Sequence, residues 1–150
     1  YLHGCLSLKQ QDTDTAKKDF ANAVKYNPDD YELYVGIYEN LAGNNMTEEG
    51  EEYLNKAFDI KGNSAENLTW RGRIYYLLGQ YDNAVKELEG AVKKDSAKAN
   101  LYLAQVYEAE EDSANAEKYY QAYVDSGTAD SVAMNALAEI QMEKGTMKRR

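Results

Sequence analysis

Small and large apolar side chains recur along the chain at the spacing of an α-helix, and turn-forming residues interrupt them at short intervals. In one segment the small Ala16 is followed by the large Phe20 at i+4 and by Ala23 at i+7. Because an α-helix turns once every ~3.6 residues, this spacing places the three side chains in one stripe. Clusters of glycine, asparagine, proline and serine separate such segments. The pattern predicts helices joined by short turns, and no strand-like alternation persists.

The turns divide the sequence into nine predicted helices. Their expected boundaries are 1–10, 14–26, 31–43, 47–60, 65–78, 81–94, 97–110, 113–125 and 130–144. Each connection is only a few residues long, which is typical of antiparallel neighbours. The turn at 110–113 has no glycine, and either Asp112 or Ser113 is expected to cap the helix that follows.

The helical pattern repeats with a period of 34 residues. Small residues near the start of each second helix recur at spacings of 34, 34 and 32: Ala16, Gly50, Ala84 and Ala116. Large residues follow four positions later: Phe20, Leu54, Leu88 and Tyr120. A second series on the first helices is spaced by 34, 34, 32 and 34: Gly4, Tyr38, Gly72, Ala104 and Ala138. Because the two series agree on the period and on one two-residue deletion, we infer a repeated helical hairpin whose copies stack to bury their apolar stripes.

The repeat predicts one domain over residues 1–150. It comprises a partial repeat, three full repeats and a final or capping helix, at 1–29, 30–63, 64–96, 97–128 and 129–145. In the last helix Met134, Leu137 and Ile140 are expected to face the stack. The chain begins at Tyr1 rather than a methionine, so we expect a fragment of a longer protein.

Composition and charge narrow the function classes. Hydrophobic residues make up 43% and charged residues 29%, and no apolar run approaches the ~20 residues needed to cross a bilayer. The net charge of −9 argues against nucleic-acid binding and against an anionic membrane surface. A basic or neutral partner fits this charge better, although acidity for solubility alone is the more common explanation.

The sequence contains no recognisable catalytic set. The single histidine, His3, and the single cysteine, Cys5, are two residues apart and would point to different sides of a helix. The carboxylate runs lie at helix starts and turns, where they have a structural explanation. Residues 2–5 resemble the end of a bacterial lipoprotein signal, but the repeat places Gly4 inside a helix. We therefore expect no enzyme, no cofactor and no metal, and the compartment stays open.

Residues 72–84, which read GRIYYLLGQYDNA, resemble the signature of the tetratricopeptide repeat (TPR) family. The first copy resembles the family's ending, from Ala16 through Phe20 and Ala23 to Pro28. The copies depart from the family in lacking its tryptophan and in having only one proline. The resemblance implies a right-handed α-solenoid of stacked hairpins, whose concave groove holds a protein or peptide. No frame of this sequence matches the lysine, asparagine and arginine set of relatives that bind chaperone tails, so we do not expect that role.

Aligning the first helices of the repeats gives a set of candidate groove residues. They are Glu39, Glu66, Thr69, Trp70, Arg73, Tyr76, Lys98, Tyr102, Gln105 and Asn135. Aromatic and arginine side chains often dominate binding energy, but Trp70, Tyr76 and Tyr102 could equally be packing between repeats. The predicted function is a non-catalytic scaffold that binds a protein or peptide. The alternative is a structural module that associates with copies of itself.

Overall fold

The computed structural model describes residues 2–9, 12–127 and 130–148, and all of its regular structure is α-helical over that part of the chain. The nine helices of these residues are α1 Leu2–Lys9, α2 Thr13–Tyr26, α3 Tyr31–Gly43, α4 Thr47–Ala57, α5 Ala65–Leu77, α6 Tyr81–Lys93, α7 Ala97–Ala109, α8 Ser113–Asp125 and α9 Ser131–Lys148. The sequence-based boundaries are confirmed to within a few residues. The largest differences are α4, which ends three residues early, and α9, which continues four residues further.

Side chains at the turns cap the starts of six helices. Each oxygen accepts a hydrogen bond from a backbone amide three residues later, and the six capping residues are Asp12, Asp30, Ser64, Ser96, Asp112 and Asp130. Such caps satisfy amides that the helix itself leaves without partners. Of the two residues expected to cap α8, Asp112 is the one that does so, since it accepts from the Asn115 amide at 3.2 Å.

The turns inside the hairpins share one unusual backbone conformation. Gly79 has a φ of 75°, and Asn45 and Glu111 occupy the equivalent positions with φ of 64° and 60°. Left-handed backbone disfavours side chains other than glycine and asparagine. The turn at 110–113, which has no glycine, therefore keeps the same geometry with Glu111, a residue less suited to it.

The chain forms two compact units, one ending at Gly62 and the other beginning at Asn63. The first unit holds the described residues of α1–α4, and the second holds those of α5–α9. The expectation of a single domain over 1–150 stays a prediction.

In the first unit the two residue series of the repeat meet face to face. Phe20 is fully buried among Ala16, Ile37 and Leu41. A Cβ atom added to Gly4 would lie only 2.8 Å from Phe20 Cε1, so the glycine makes room for the ring. The next hairpin reverses this arrangement.

In that hairpin the large residue lies on the first helix and the glycine on the second. Tyr38 occupies the place of Gly4, and a Cβ atom on Gly50 would lie 3.0 Å from Tyr38 Cδ2 and 3.2 Å from the Tyr38 carbonyl oxygen. Gly50 takes the place of Ala16, so the second helix gives up a methyl group where the first helix gains a ring, and Leu54 stays fully buried.

In the second unit, as in the first, a glycine on one helix makes room for a large side chain on its neighbour. Leu88 is fully buried with Ala84, Ala91 and Leu103, and a Cβ atom on Gly72 would lie 2.4 Å from Leu88 Cγ. The other cluster joins Ala116, Tyr120 and Tyr123 to α9 through Ala133, Leu137 and Ile140. Burial is confirmed for the small and large series of the second helices. In the first-helix series Tyr38 is half-buried and Ala138 is exposed, so that series is buried only in part.

The prediction for α9 is wrong at one residue. Leu137 and Ile140 are buried as expected, but Met134 is 53% exposed. The buried stripe begins at Ala133 instead, at i, i+4 and i+7 with Leu137 and Ile140. A neighbouring residue lies about 100° further around the helix, which turns Met134 away from the stack.

Candidate protein-interaction surface

Two cavities lie along the first helices of the second unit. The smaller, about 380 Å³, is lined by Ala65, Glu66, Thr69, Trp70, Ser96, Lys98 and Tyr102. The larger, about 800 Å³, is lined by Arg73, Tyr76, Gln105, Glu108, Ala109, Tyr120, Val132, Asn135, Ala136 and Glu139. Both draw residues from α5 and α7, and the larger also reaches α8 and α9.

The hydroxyl groups of the smaller cavity are bonded to each other and to the backbone. Thr69 Oγ1 lies 2.7 Å from the Ala65 carbonyl oxygen and 2.9 Å from Ser96 Oγ. Because the single Thr69 hydroxyl proton goes to the carbonyl, Ser96 donates its own proton to Thr69. Ser96 Oγ then accepts from the Ala99 amide as the cap of α7. These hydroxyls are satisfied without a ligand, so the remaining contact surface consists of the rings of Trp70 and Tyr102 and the charged side chains of Glu66 and Lys98.

A cation–π pair connects the two cavities. Arg73 lines the larger and Tyr102 the smaller, and Arg73 Cζ lies 4.8 Å from the centroid of the Tyr102 ring. A guanidinium over an aromatic ring is attracted by the negative face of the ring. The pair holds Arg73 at the boundary of the larger cavity.

A buried tyrosine supports the acidic side of the larger cavity. Tyr120 is 3% exposed. Burial, together with a hydrogen bond to the Glu108 carboxylate, raises the pKa of Tyr120 well above its ordinary range. The hydroxyl therefore stays protonated and donates to Glu108. Glu139 adds a second, exposed carboxylate to the lining, against the single guanidinium of Arg73.

The structure brings nine of the ten candidate groove residues to these cavities. Glu66, Thr69, Trp70, Lys98 and Tyr102 line the smaller one, whereas Arg73, Tyr76, Gln105 and Asn135 line the larger one. Glu39 is exposed on α3, in the first unit. Whether any of the ten binds a partner stays a prediction.

Burial differs among the candidates that the repeat alignment treats as equivalent. Thr69 is buried, and so are Val35 and Leu101, which the alignment also placed on the groove face. Asn135, at the same position on α9, is exposed. The apolar side chains of Val35 and Leu101 belong to the core.

The three aromatic candidates are each half-buried, between core and surface. The Tyr76 ring centroid lies 6.0 Å from that of Tyr81, and Tyr102 packs beside the buried cluster around Leu88 while it contacts Arg73. Each ring therefore contributes to packing and also lines a cavity.

Sequence reasoning missed several residues of the lining. Tyr120 entered the sequence argument only as a bulky core position of the repeat, and Ser96 was not among the candidates. The cap pattern at Ser96 could have indicated its hydroxyl, but the contact of Tyr120 with Glu108 joins α8 to α7 and leaves no local signal.

Among the residues that the structure describes, no helix has the length and apolar character of a membrane span. In the same part of the chain, no group of three or more histidine, cysteine or acidic side chains could hold a metal ion.

Comparison with known proteins places these hairpins in a family. The tetratricopeptide repeat model matches residues 1–65 and 70–131. No curated protein matches the sequence significantly.

Solved structures share the fold at low identity. The PilF protein of Pseudomonas aeruginosa aligns with a TM-score of 0.66 and 16% identity over 97% of this chain and 67% of that one. MamA aligns with a TM-score of 0.61 and 19% identity over 95% and 84%. A thermophilic TPR protein of Thermus thermophilus aligns with a TM-score of 0.61 and 22% identity over 91% and 76%. With a family match over most of its length and all-α TPR neighbours, the chain belongs to the tetratricopeptide repeat family.

Proposed function

We propose that this chain is a non-catalytic scaffold that binds a protein or peptide through the two cavities of its second unit. The proposal is supported by the family, whose members are typically interaction scaffolds rather than enzymes. A structural neighbour, YrrB, is described as a TPR protein with an unusual peptide-binding site, and it aligns with a TM-score of 0.52 and 20% identity over 87% of this chain and 68% of that one.

The observation that carries the proposal is the lining of the two cavities. Tyr76, Tyr102 and Trp70 leave part of their rings accessible beside charged and amide groups. Rigid aromatic side chains with adjacent polar groups are the usual composition of binding surfaces.

The test is capture of partners from cells of the source organism with the folded chain as bait. The double variant Arg73→Ala/Tyr76→Ala removes a cation and a tyrosine from the lining. Lys118→Ala/Tyr26→Ala is the matched control, because it removes the same two chemistries from exposed positions outside both cavities. We expect the first variant to lose captured proteins and the control to retain them, with helical circular dichroism unchanged in both. Equal capture by both variants would refute binding through these cavities.

Self-association is the second candidate, and the exposure of Met134 favours it. Val132 and Met142 on the same helix are exposed as well, and apolar side chains grouped on one exposed helix can contact another copy. We expect Met134→Glu to abolish any concentration dependence of the mass measured by light scattering. Leu137 is unsuitable for this test because it is buried in the core. A mass that is already constant in the unmodified chain would exclude the candidate.

A further inference from the structure

The lining of the two cavities differs in chemistry, and this difference specifies a partner. The inference rests on the proposed function and goes further by naming the side chains that the partner presents. We propose that the bound segment is extended and carries a phenylalanine-like aromatic side chain about three residues from an arginine or lysine. The aromatic side chain enters the smaller cavity, and the basic one enters the larger.

The smaller cavity suits an uncharged aromatic guest. The Thr69 and Ser96 hydroxyls are already bonded to each other and to the backbone. Glu66 and Lys98 carry opposite charges and leave the lining neutral. Trp70 and Tyr102 supply the apolar contact, and the arrangement of aromatic rings around a guest ring is worth more than area burial alone.

The larger cavity suits a cation. Its lining holds two carboxylates, Glu108 and Glu139, and one guanidinium, Arg73. The guanidinium lies over the Tyr102 ring, at the boundary with the smaller cavity. The Tyr120 hydroxyl donates to Glu108. The overall charge of −9 attracts a basic segment from a distance.

The spacing follows from the helices. On α5, Thr69 of the smaller cavity and Tyr76 of the larger are seven residues apart, and on α7 Lys98 and Gln105 are also seven apart. At about 1.5 Å per residue both helices give an offset of roughly 10 Å. An extended chain advances about 3.3 Å per residue, so about three residues span this distance.

The experiment uses the only tryptophan of the chain, Trp70, as the reporter of occupancy. The probe is a short acetylated and amidated glycine–serine peptide that carries one phenylalanine and, three positions later, one arginine. Three further peptides replace phenylalanine by alanine, arginine by glutamine, or arginine by glutamate. Each is titrated to millimolar concentration while Trp70 emission is recorded.

We expect a saturable change in Trp70 emission with the first peptide. Loss of the phenylalanine should weaken binding about 30-fold, as for a buried anchor residue. Loss of the arginine charge should weaken it about fivefold, and added salt should reduce that difference. The glutamate peptide should bind more weakly than the glutamine peptide.

Protein variants assign the basic contact. Glu108→Gln/Glu139→Gln keeps hydrogen-bond acceptors in place and removes both charges, so it should weaken the arginine peptide about fivefold and leave the glutamine peptide unchanged. Such non-additivity is the mark of a direct interaction. Lys118→Ala/Tyr26→Ala should bind like the unmodified chain.

Three results would overturn the proposal: no saturable emission change, equal binding of the arginine and glutamate peptides, or no effect of removing the phenylalanine. If the phenylalanine–arginine peptide does not bind while capture from cells still depends on Arg73 and Tyr76, the scaffold function stands and the stated partner chemistry is wrong. If capture is also independent of these residues, both proposals fall.

Discussion

Gly72 is the position where the packing makes its sharpest prediction. It lies inside α5, opposite the fully buried Leu88 of α6, and a Cβ atom there would lie 2.4 Å from Leu88 Cγ and 2.6 Å from Leu88 Cδ2. Carbon atoms in contact prefer separations of about 3.5–4.0 Å. The Gly72→Ala variant therefore requires Leu88 or one of the helices to move by about an ångström.

Two opposing effects decide the magnitude. Alanine is better than glycine in a helix interior by about 1 kcal/mol. Overpacking of a tight core costs about 1–3 kcal/mol, and here the overlap involves the branching carbon of a fully buried side chain. We expect Gly72→Ala to lower the free energy of unfolding by up to about 2 kcal/mol.

The matched control is Gly90, inside α6 in the same unit. Its nearest contact would be Leu68 Cδ1 at 3.4 Å, which is ordinary van der Waals distance. Gly90→Ala should therefore keep the helix gain and raise the free energy of unfolding by about 0.5–1 kcal/mol. Both variants are measured by urea denaturation followed by helical circular dichroism, with the slope required to stay constant.

A rescue experiment separates side-chain overlap from other causes. Leu88→Ala alone should cost about 2–5 kcal/mol, but it also removes the atoms that the new methyl group would meet. In that background Gly72→Ala should become stabilising. At Gly50 the corresponding contacts include the Tyr38 carbonyl oxygen at 3.2 Å and its Cα at 3.3 Å, so Tyr38→Ala should not rescue Gly50→Ala. A stabilising Gly72→Ala in the unmodified background would refute the reasoning.

Further predictions concern a hydroxyl pair, a turn and a buried phenol. Thr69→Val breaks the bond to Ser96 and should lower the free energy of unfolding by about 1 kcal/mol, with no additional loss in a Ser96→Ala background. Glu111→Gly should raise the free energy of unfolding by about 0.5 kcal/mol because Glu111 has a φ of 60°. Glu110→Gly should lower the free energy of unfolding because Glu110 has an ordinary φ of −86°. The pKa of Tyr120 is raised from 10.0 in the folded state, so the unfolded chain loses this proton first and stability should fall as pH rises above about 10. Tyr120→Phe should weaken that alkaline loss, and an unchanged pH profile would contradict it.

Much of the fold could be predicted because its cause is periodic. The small and large series follow from helix geometry and recur in register, so Phe20, Leu88 and their equivalents were identifiable as core. The helix starts were predictable for a different reason. A capping side chain bonds an amide only three residues away, so its sequence signal is local. Met134 was misassigned because its burial depends on the rotation of α9 about its axis, and one residue of error turns a side chain by about 100°.

The candidate surface could be predicted only in outline. The register of the repeat places Arg73 and Tyr102 on neighbouring helices, which is sufficient to expect them near each other. That the guanidinium lies over the ring, and that Tyr120 donates to Glu108, depends on side-chain conformations between helices. No pattern within a single helix encodes those contacts.

One repeat position shows why equivalence in sequence does not give equivalence in function. Thr69 is covered because the next hairpin supplies Ser96 to its hydroxyl, and Leu101 is covered because it joins the cluster of Ala133 and Leu137 on α9. Asn135 occupies the same position on α9, and no further helix of the described residues covers it. Exposure is therefore decided by the neighbour in the stack rather than by the residue's own helix. The amide of Asn135 and the carboxylate of Glu139 are therefore both exposed in the lining of the larger cavity.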